Sequence, residues 1–367
     1  MIMFVVDAAG EFGIREYLES WGRTAAKRVG IMLYEDLPKR THVPAGTYVF
    51  AALDQLTPTQ REMVARLREC IASESLQILN HPLRTLRRYQ LLLAAHECGL
   101  NHFRAFRLLN GTHNYRYPVF VRMENQHTGS LTGLLDDPRA LNSAILRLQV
   151  RGYNRDELLV IEFCDTRGDD GLFRKYSAFI VGKEIIPRAM SFSRDWMVKA
   201  GSGDWDRILA REELHYIERN PHEGILRKIF ELSGVQYGRV DYGVLAGAPQ
   251  VWEINLNPTI APRLHQGPKN AEQKQLQELR HPAKKLFFSM FAEALHKIDH
   301  SSSAPALIPI RIDNRVARRI KRERYQTVLR QSYRTCVQKL SRNGAFTLLR
   351  PLLRTAHHRT LKNSEKD

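Results

Sequence analysis

Long apolar runs are missing from this 367-residue chain. No stretch approaches the ~18 consecutive apolar residues that a membrane span requires, so no transmembrane segment is expected. The opening MIMFVVDAAG is short and has no basic residues ahead of it; it reads as a first buried strand rather than a secretory signal. Cysteine is scarce. Cys70, Cys98, Cys164 and Cys336 are widely scattered, match neither a zinc spacing nor a dense disulfide framework, and point to a reduced, cytoplasmic compartment. The 14 histidines lack a metal spacing such as His-x-x-x-His with a third ligand, and read as structural or exposed. Acidic residues are outnumbered, 39 against 56 basic ones, for a net charge of +17. The excess is uneven: from Arg311 onward there are 16 Lys and Arg and 4 Asp and Glu, so +12 of the +17 belongs to the tail.

What is present is apolar patterning on the scale of cores, with 43% hydrophobic residues. In the first hundred residues the short runs IMFVVDA, IMLYEDL, TYVFAAL and LQILNHP predict strands. The amphipathic stretches PTQREMVARLRECIA and LRTLRRYQLLLAAHECG predict helices. Such alternation indicates an α/β layer with much of its sheet buried. The texture changes near Phe103. FRAFRLL and YPVFVRME read as strands around a turn, GTHNYR. The loop ENQHTGSLTGLLDDP, rich in Gly, Thr, Ser and Asn, precedes a helix, RALNSAILRLQVRG. Next come an apolar strand, LLVIEFCDT, and a polar loop, RGDDG. FRKYSAFIVG and EIIPRAMSF read as strands, DRILAREELHYIERN and GILRKIFELSGV as helices. GRVDYGVL and QVWEINLN read as strands paired across AGAP. EQKQLQELRHPAKKLFFSMFAEALHKI is one closing helix, or two broken at Pro282, and SSSAPALIP reads as a linker. No internal repeat is present.

The stretch VWEINLNPTI carries the chemistry. Strand side chains alternate between faces, so Trp252, Ile254 and Leu256 form an apolar face, while Glu253, Asn255 and Asn257 stand together on the other. A turn centred near Gly247 sets Asp241 opposite Glu253, and paired residues point to one face. Asp241, Glu253 and Asn255 then form an oxygen-rich patch with Asn257 beside it. Magnesium takes hard oxygen ligands, commonly one or two carboxylates plus substrate phosphates, and this set suits one or two such ions bridged by a triphosphate. A slip of one residue would separate the two carboxylates.

An Asp followed by a strand with Glu-x-Asn before Asn-Pro resembles the metal-binding end of an ATP-grasp domain. Other stretches agree in order. PVFVR and the Thr-Gly-Ser-Leu-Thr-Gly loop resemble the phosphate strand and glycine-rich lid of that superfamily, VIEFCD its adenine-binding hinge, and DWMVK its later lysine segment. The alternating first hundred residues, with LNHP before a basic helix, resemble the domain that commonly precedes it. The resemblance covers roughly residues 1 to 295. It implies a mixed α/β (α+β) protein with a pre-ATP-grasp domain over 1–102 and a two-subdomain ATP-grasp fold over 103–298. Within the latter, the lid subdomain spans about 115–160 and the metal end 235–265. A linker over 299–313 and a basic helical tail over 314–367 follow.

The resemblance also implies roles. Arg122, where the family commonly has lysine, neutralises nucleotide phosphates; arginine binds them bidentately where lysine is a point charge. Gly129, Ser130 and Gly133 belong to the lid, where glycine lets backbone amides approach phosphate oxygens. The backbone around Glu162, Phe163 and Cys164 supplies the carbonyl and amide that an adenine edge needs, with Cys164 a packing residue. Asp165, Asp169 or Asp170 meets the ribose. Lys199 meets the terminal phosphate, Lys175 and Arg88 are weaker candidates for it, and Arg263 meets the carboxylate substrate.

The reaction so implied is an ATP-dependent ligation. A small-molecule or peptide carboxylate attacks the terminal phosphate of ATP bound with Mg2+ (Mn2+ being the alternative ion), an acylphosphate forms, and an amine or thiol displaces phosphate. The rivals are an ATP-grasp kinase acting on a small-molecule acceptor, and a non-catalytic polyanion-binding protein that keeps the fold. In the tail, Val316, Ile320, Tyr325, Val328, Leu329, Tyr333, Val337 and Leu340 recur at near-helical spacing among many Arg and Lys. That pattern fits a helix docked on its own body, or a surface for an acidic partner such as a carrier peptide, nucleic acid or an anionic membrane.

Overall fold

In the computed structural model the described residues are 1–72, 76–108, 113–126, 129–198, 205–261, 270–299 and 307–310, with positions 315–316, 318–320, 322–323, 325–326, 328–329, 332 and 335–336 beyond them. Ile2–Val6 forms β1, apolar and buried throughout, as a strand covered on both faces must be. It is followed by α1 (Phe12–Glu19), β2 (Val29–Leu33), β3 (His42–Pro44), β4 (Thr47–Phe50), α2 (Pro58–Ala72), β5 (Ile78–Leu79) and α3 (Arg88–Glu97). Next come β6 (Ala105–Arg107), β7 (Val119–Met123), α4 (Pro138–Val150) and β8 (Leu158–Glu162). The chain continues through β9 (Phe173–Val181), β10 (Glu184–Ser193), α5 (Arg207–Arg219), α6 (Glu223–Ser233), β11 (Tyr237–Leu245) and β12 (Ala248–Asn255). Finally come α7 (Ala271–Leu279), α8 (His281–Ile298) and β13 (Leu307–Pro309). The chain divides into two units, Met1–Arg104 with Cys164–Asp313, and Ala105–Phe163 with Asn314–Asp367.

The first unit holds two four-stranded sheets. One is parallel, in the order β2-β1-β4-β5. The other is antiparallel, in the order β10-β9-β11-β12. They share a core. Phe4 and Val49 of the parallel sheet, Phe179 and Tyr237 of the antiparallel one, and Phe287 and Phe291 of α8 belong to one buried cluster. Phe4 meets Tyr237 edge-on at 5.1 Å. Buried Asn80, from the LNHP stretch, donates to the Phe50 carbonyl at 2.9 Å and the Tyr237 carbonyl at 2.8 Å, so one amide ties the two sheets. Pro282 does break the closing segment, lying in the first turn of α8, where a missing N–H costs nothing. Leu307–Pro309, read as linker from the sequence, instead pairs with β3 as an antiparallel strand.

The second unit holds the antiparallel sheet β6-β8-β7. α4 supplies Leu141, Ala144, Ile145 and Leu148 to a core with Val119, Val121 and Val160. The helix starts where its sequence dictates: Asp137 accepts from the Ala140 N–H at 2.8 Å, and Pro138 follows. Of the tail, the described positions are helical. Val316, Ile320 and Leu329 of the expected apolar stripe are partly covered, whereas Tyr325 and Val328 are 64% and 51% exposed. Burial is thus uneven over the described positions of the stripe; Tyr333, Val337 and Leu340 lie outside them. All four cysteines are free thiols. Among the described residues no helix is long and apolar enough to cross a membrane.

Candidate active site

The β11–β12 hairpin turns at Ala246 and Gly247, both with positive φ (49° and 80°), the geometry of a two-residue hairpin loop whose twist matches its strands. Leu245 pairs with Ala248, Val244 with Pro249 and Tyr242 with Val251. Continued evenly, that register would set Asp241 opposite Trp252. A bulge intervenes, Trp252 is the extra residue, and Asp241 pairs with Glu253. The turn is thus centred half a residue before the position expected from the sequence, and the bulge makes up the difference.

The bulge also re-sorts the faces. An ideal Cβ on Gly243 would lie 2.8 Å from the Trp252 ring, and Gly243 shares the face of Asp241 by alternation. Trp252 therefore covers the Asp241 face instead of joining an apolar face with Leu256. Trp252 and Ile254 are only half-buried, while Val251 and Leu256 are core residues.

Around the carboxylates the charge is positive. Glu253 pairs with Arg88 at the start of α3. Asp241 accepts from Arg239 Nε at 2.8 Å and Nη2 at 3.1 Å, and Lys175 Nζ lies 3.8 Å away. Arg88 and Lys175 thus stand beside the two carboxylates of the hairpin. Asn255 Oδ1 accepts the Asn257 N–H at 2.9 Å, and Asn257 Nδ2 donates to the Gly10 carbonyl at 3.0 Å. Asn257 therefore anchors the chain to the loop after β1 instead of flanking the patch. Arg239 was not anticipated as a site residue, although its spacing of two from Asp241 on a strand was a legible signal of a shared face.

The donor set fits a hard cation: two carboxylates in one register and an amide oxygen with a second lone pair. Among the described residues no three His, Cys, Asp or Glu side chains group to hold a metal.

In the second unit, Arg122 lies buried on β7, paired with Leu159 in the ladder and bridged to Ser130. Ser130 Oγ donates to the Thr132 carbonyl at 2.7 Å, and the Leu131 N–H to the Val121 carbonyl at 2.7 Å, so part of the expected lid folds back along β7. Gly129 has φ 83°, and a Cβ at Gly133 would enter open space. The buried Glu162 carboxylate accepts from the Arg116 backbone N–H at 2.8 Å and Nη2 at 2.9 Å. The Phe163 N–H donates to the Pro118 carbonyl at 2.9 Å, which removes it as a donor to an adenine edge. Cys164 Sγ lies 3.9 Å from buried Gln250 Oε1, a packing position.

Of the ribose candidates, Asp165 is held by Arg167, whose guanidinium lowers its pKa, and Asp170 by Arg174, which lowers it to about 2. Lys199 and Arg263 lie outside the described residues.

No family model and no curated protein matches the chain. Solved structures do. A D-alanine–D-alanine ligase from Bacillus anthracis complexed with ATP is 11% identical, with 81% of this chain and 98% of that one covered, at a TM-score of 0.44. An ATP-grasp RimK domain protein from Sphaerobacter thermophilus is 15% identical over 79% and 99%, at 0.40. ATP-grasp proteins are among its structural neighbours. The ATP-grasp ligase PsnB complexed with a phosphomimetic variant of a minimal precursor, Mg and ADP, is 9% identical over 77% and 97%, at 0.41.

Proposed function

We propose that this protein is an ATP-dependent carboxylate–amine (or thiol) ligase. The observation that supports the reading best is the pairing of Asp241 with Glu253, Asn255 following on the same strand, inside a ring of Arg88, Arg239 and Lys175. Asp241, Glu253 and Asn255 would hold Mg2+, which when bound screens the phosphate charges of ATP. The cations around it orient and neutralise anionic reactants. A substrate carboxylate oxygen attacks the terminal phosphorus and ADP leaves with the bridging oxygen. The amine nitrogen then attacks the acyl carbon, inorganic phosphate leaves, and the nitrogen gives up its proton. Arg122 and the 129–133 loop serve the nucleotide phosphates, Lys199 the terminal one, and Arg263 the carboxylate. The basic tail, in a cytoplasmic protein, offers a docking surface for an acidic partner.

The test is a screen of amino acids and small carboxylates for ADP release, with mass spectrometry of the products. An amide or thioester product is expected, and Glu253→Gln should release no ADP above background. Phosphorylated product with no such bond would replace the ligase by a kinase, and full turnover by Glu253→Gln would remove the metal assignment.

A further inference from the structure

β10 carries a second bulge, between Pro187 and Ala189, and the extra residue is Arg188. Its guanidinium lies 4.3 Å from the Phe287 ring centre and 5.4 Å from that of Phe288, on the α8 side of the antiparallel sheet. Phe179 packs on Phe287 from the same side at 5.5 Å, and Phe179 pairs with Arg239 across the ladder. Arg188 therefore shares a sheet face with Arg239 and Asp241. The next residue, Ala189, stands in a row with Ser177, Asp241 and Glu253 across the four strands. Two strand spacings separate β10 from β11, so Arg188 sits about 10 Å from Asp241 across the sheet.

This arginine has no counter-ion among the described residues. Its one side-chain hydrogen bond among the described residues runs from Nη2 to the Ile260 carbonyl at 3.1 Å, which ties it to the chain that follows β12. The nearby carboxylate, Glu213, is already taken: Arg280 Nε donates to it at 2.8 Å and the Met190 N–H at 3.1 Å. Lys284, one turn along α8 from Arg280, likewise has no carboxylate partner among the described residues. With Arg280 matched to Glu213, and Arg239 and Lys175 to Asp241, Arg188 and Lys284 have no carboxylate of their own among the described residues. Burial pushes Arg188 down to about 10, with Arg280 and Arg239 acting in the same sense against Glu213. Burial lowers Lys284 as well, and Arg280 and Arg188 add to it. Half-buried cations without a carboxylate partner cost stability, and a bound anion would relieve that cost.

We propose that Arg188 and Lys284 form a subsite for a second carboxylate of the substrate, so that the acid activated at the Asp241–Glu253 end is a dicarboxylate. The proposal rests on the ligase reading for which carboxylate reacts, but not for the anion site itself. The probe is glutarate, with butyrate at matched ionic strength as the single-carboxylate control, and the readout is the melting temperature of the full chain. Glutarate should raise it saturably and butyrate should not. Arg188→Met and Lys284→Gln should each weaken the glutarate response about tenfold or more, as loss of a charge-assisted contact does, while the response to ATP with Mg2+ persists. Arg188→Lys, which keeps the charge, covers the case in which the methionine variant does not fold. Equal responses to glutarate and butyrate, or a glutarate response unchanged in both charge-removing variants, would overturn the subsite. A glutarate response of the expected kind in a protein indifferent to ATP would uphold the subsite and remove the ligase reading.

Discussion

Glu253 answers to two demands. In the fold it is the partner of Arg88, whose side chain is 5% exposed against 17% for the carboxylate. In the proposed reaction the same carboxylate shares its charge with a metal. Removing one member of a buried pair leaves the other desolvated and unmatched, at a typical cost of about 3–5 kcal/mol. Glu253→Gln keeps the shape and one acceptor oxygen, so it should lower the unfolding free energy by an amount near the bottom of that range, about 3 kcal/mol. Arg88→Met should do likewise. The double variant should recover most of the loss, because both charges leave together, while remaining inactive. Urea titration of the four chains separates the cases: strictly additive losses would mean that the two residues are not coupled. The cycle also keeps a folding defect in Glu253→Gln from being mistaken for a lost metal ligand.

At the scale of elements, two bulges do what the hydrophobic pattern cannot. The bulge at Trp252 brings Asp241 and Glu253 into register from a turn that would otherwise misalign them, and it is held by the Trp252 ring lying over Gly243. A Cβ at Gly243 would also come within 2.9 Å of Thr166 Oγ1. Gly243→Val should therefore push the ring aside and lose about 1–3 kcal/mol, as overpacking does. Thermal melts followed by tryptophan fluorescence would check it, and wild-type stability would mean that the ring yields without cost. The pattern of alternation made most strands and the β11–β12 pairing legible, and α2 was legible to its ends, from Pro58 to Ala72, whereas β6 and β7, read as strands around one turn, each pair with β8 instead. Neither bulge was, since a bulge is decided by what neighbouring strands and helices pack against it, and no local signal marks Trp252 or Arg188. β2 begins two residues earlier than its apolar run suggests, at Val29, because its partner β1 sets the extent of the ladder. The parallel order β2-β1-β4-β5 and the β3–β13 pair join distant stretches, which periodicity along the chain does not encode. The carboxylate patch was readable because its residues lie on one hairpin, as does Arg239; Arg88 and Lys175 reach it from α3 and β9, and that convergence was not.

For the whole molecule, the distribution of charge sets the last expectation. The segment from Arg311 holds +12 of the net +17, leaving +5 on the first 310 residues. Where the chain can be cut is fixed by structure. β13 pairs with β3, the Ile310 N–H donates to the Thr41 carbonyl at 2.8 Å, and Ile310 is buried, so a stop codon must follow Ile310. Beyond it, the described core of the second unit is built from residues 108 to 160 and includes no tail residue. Arg319 and Glu323 make an i,i+4 pair at 3.4 Å in which the arginine is exposed and the carboxylate partly covered, a contact within one helix that supports it by only a few tenths of a kcal/mol. A chain ending at Ile310 is therefore expected to fold and to keep its response to ATP with Mg2+. Full-length protein should bind heparin with an affinity that falls steeply between low and physiological salt, as counterion release and screening dictate. The shortened chain should lose most of that affinity. Two results would count against this assignment: a shortened chain that is insoluble or indifferent to ATP would make the tail part of the fold, and undiminished heparin binding would place the basic surface on the body, where Arg188 and Lys284 would be the first residues to examine.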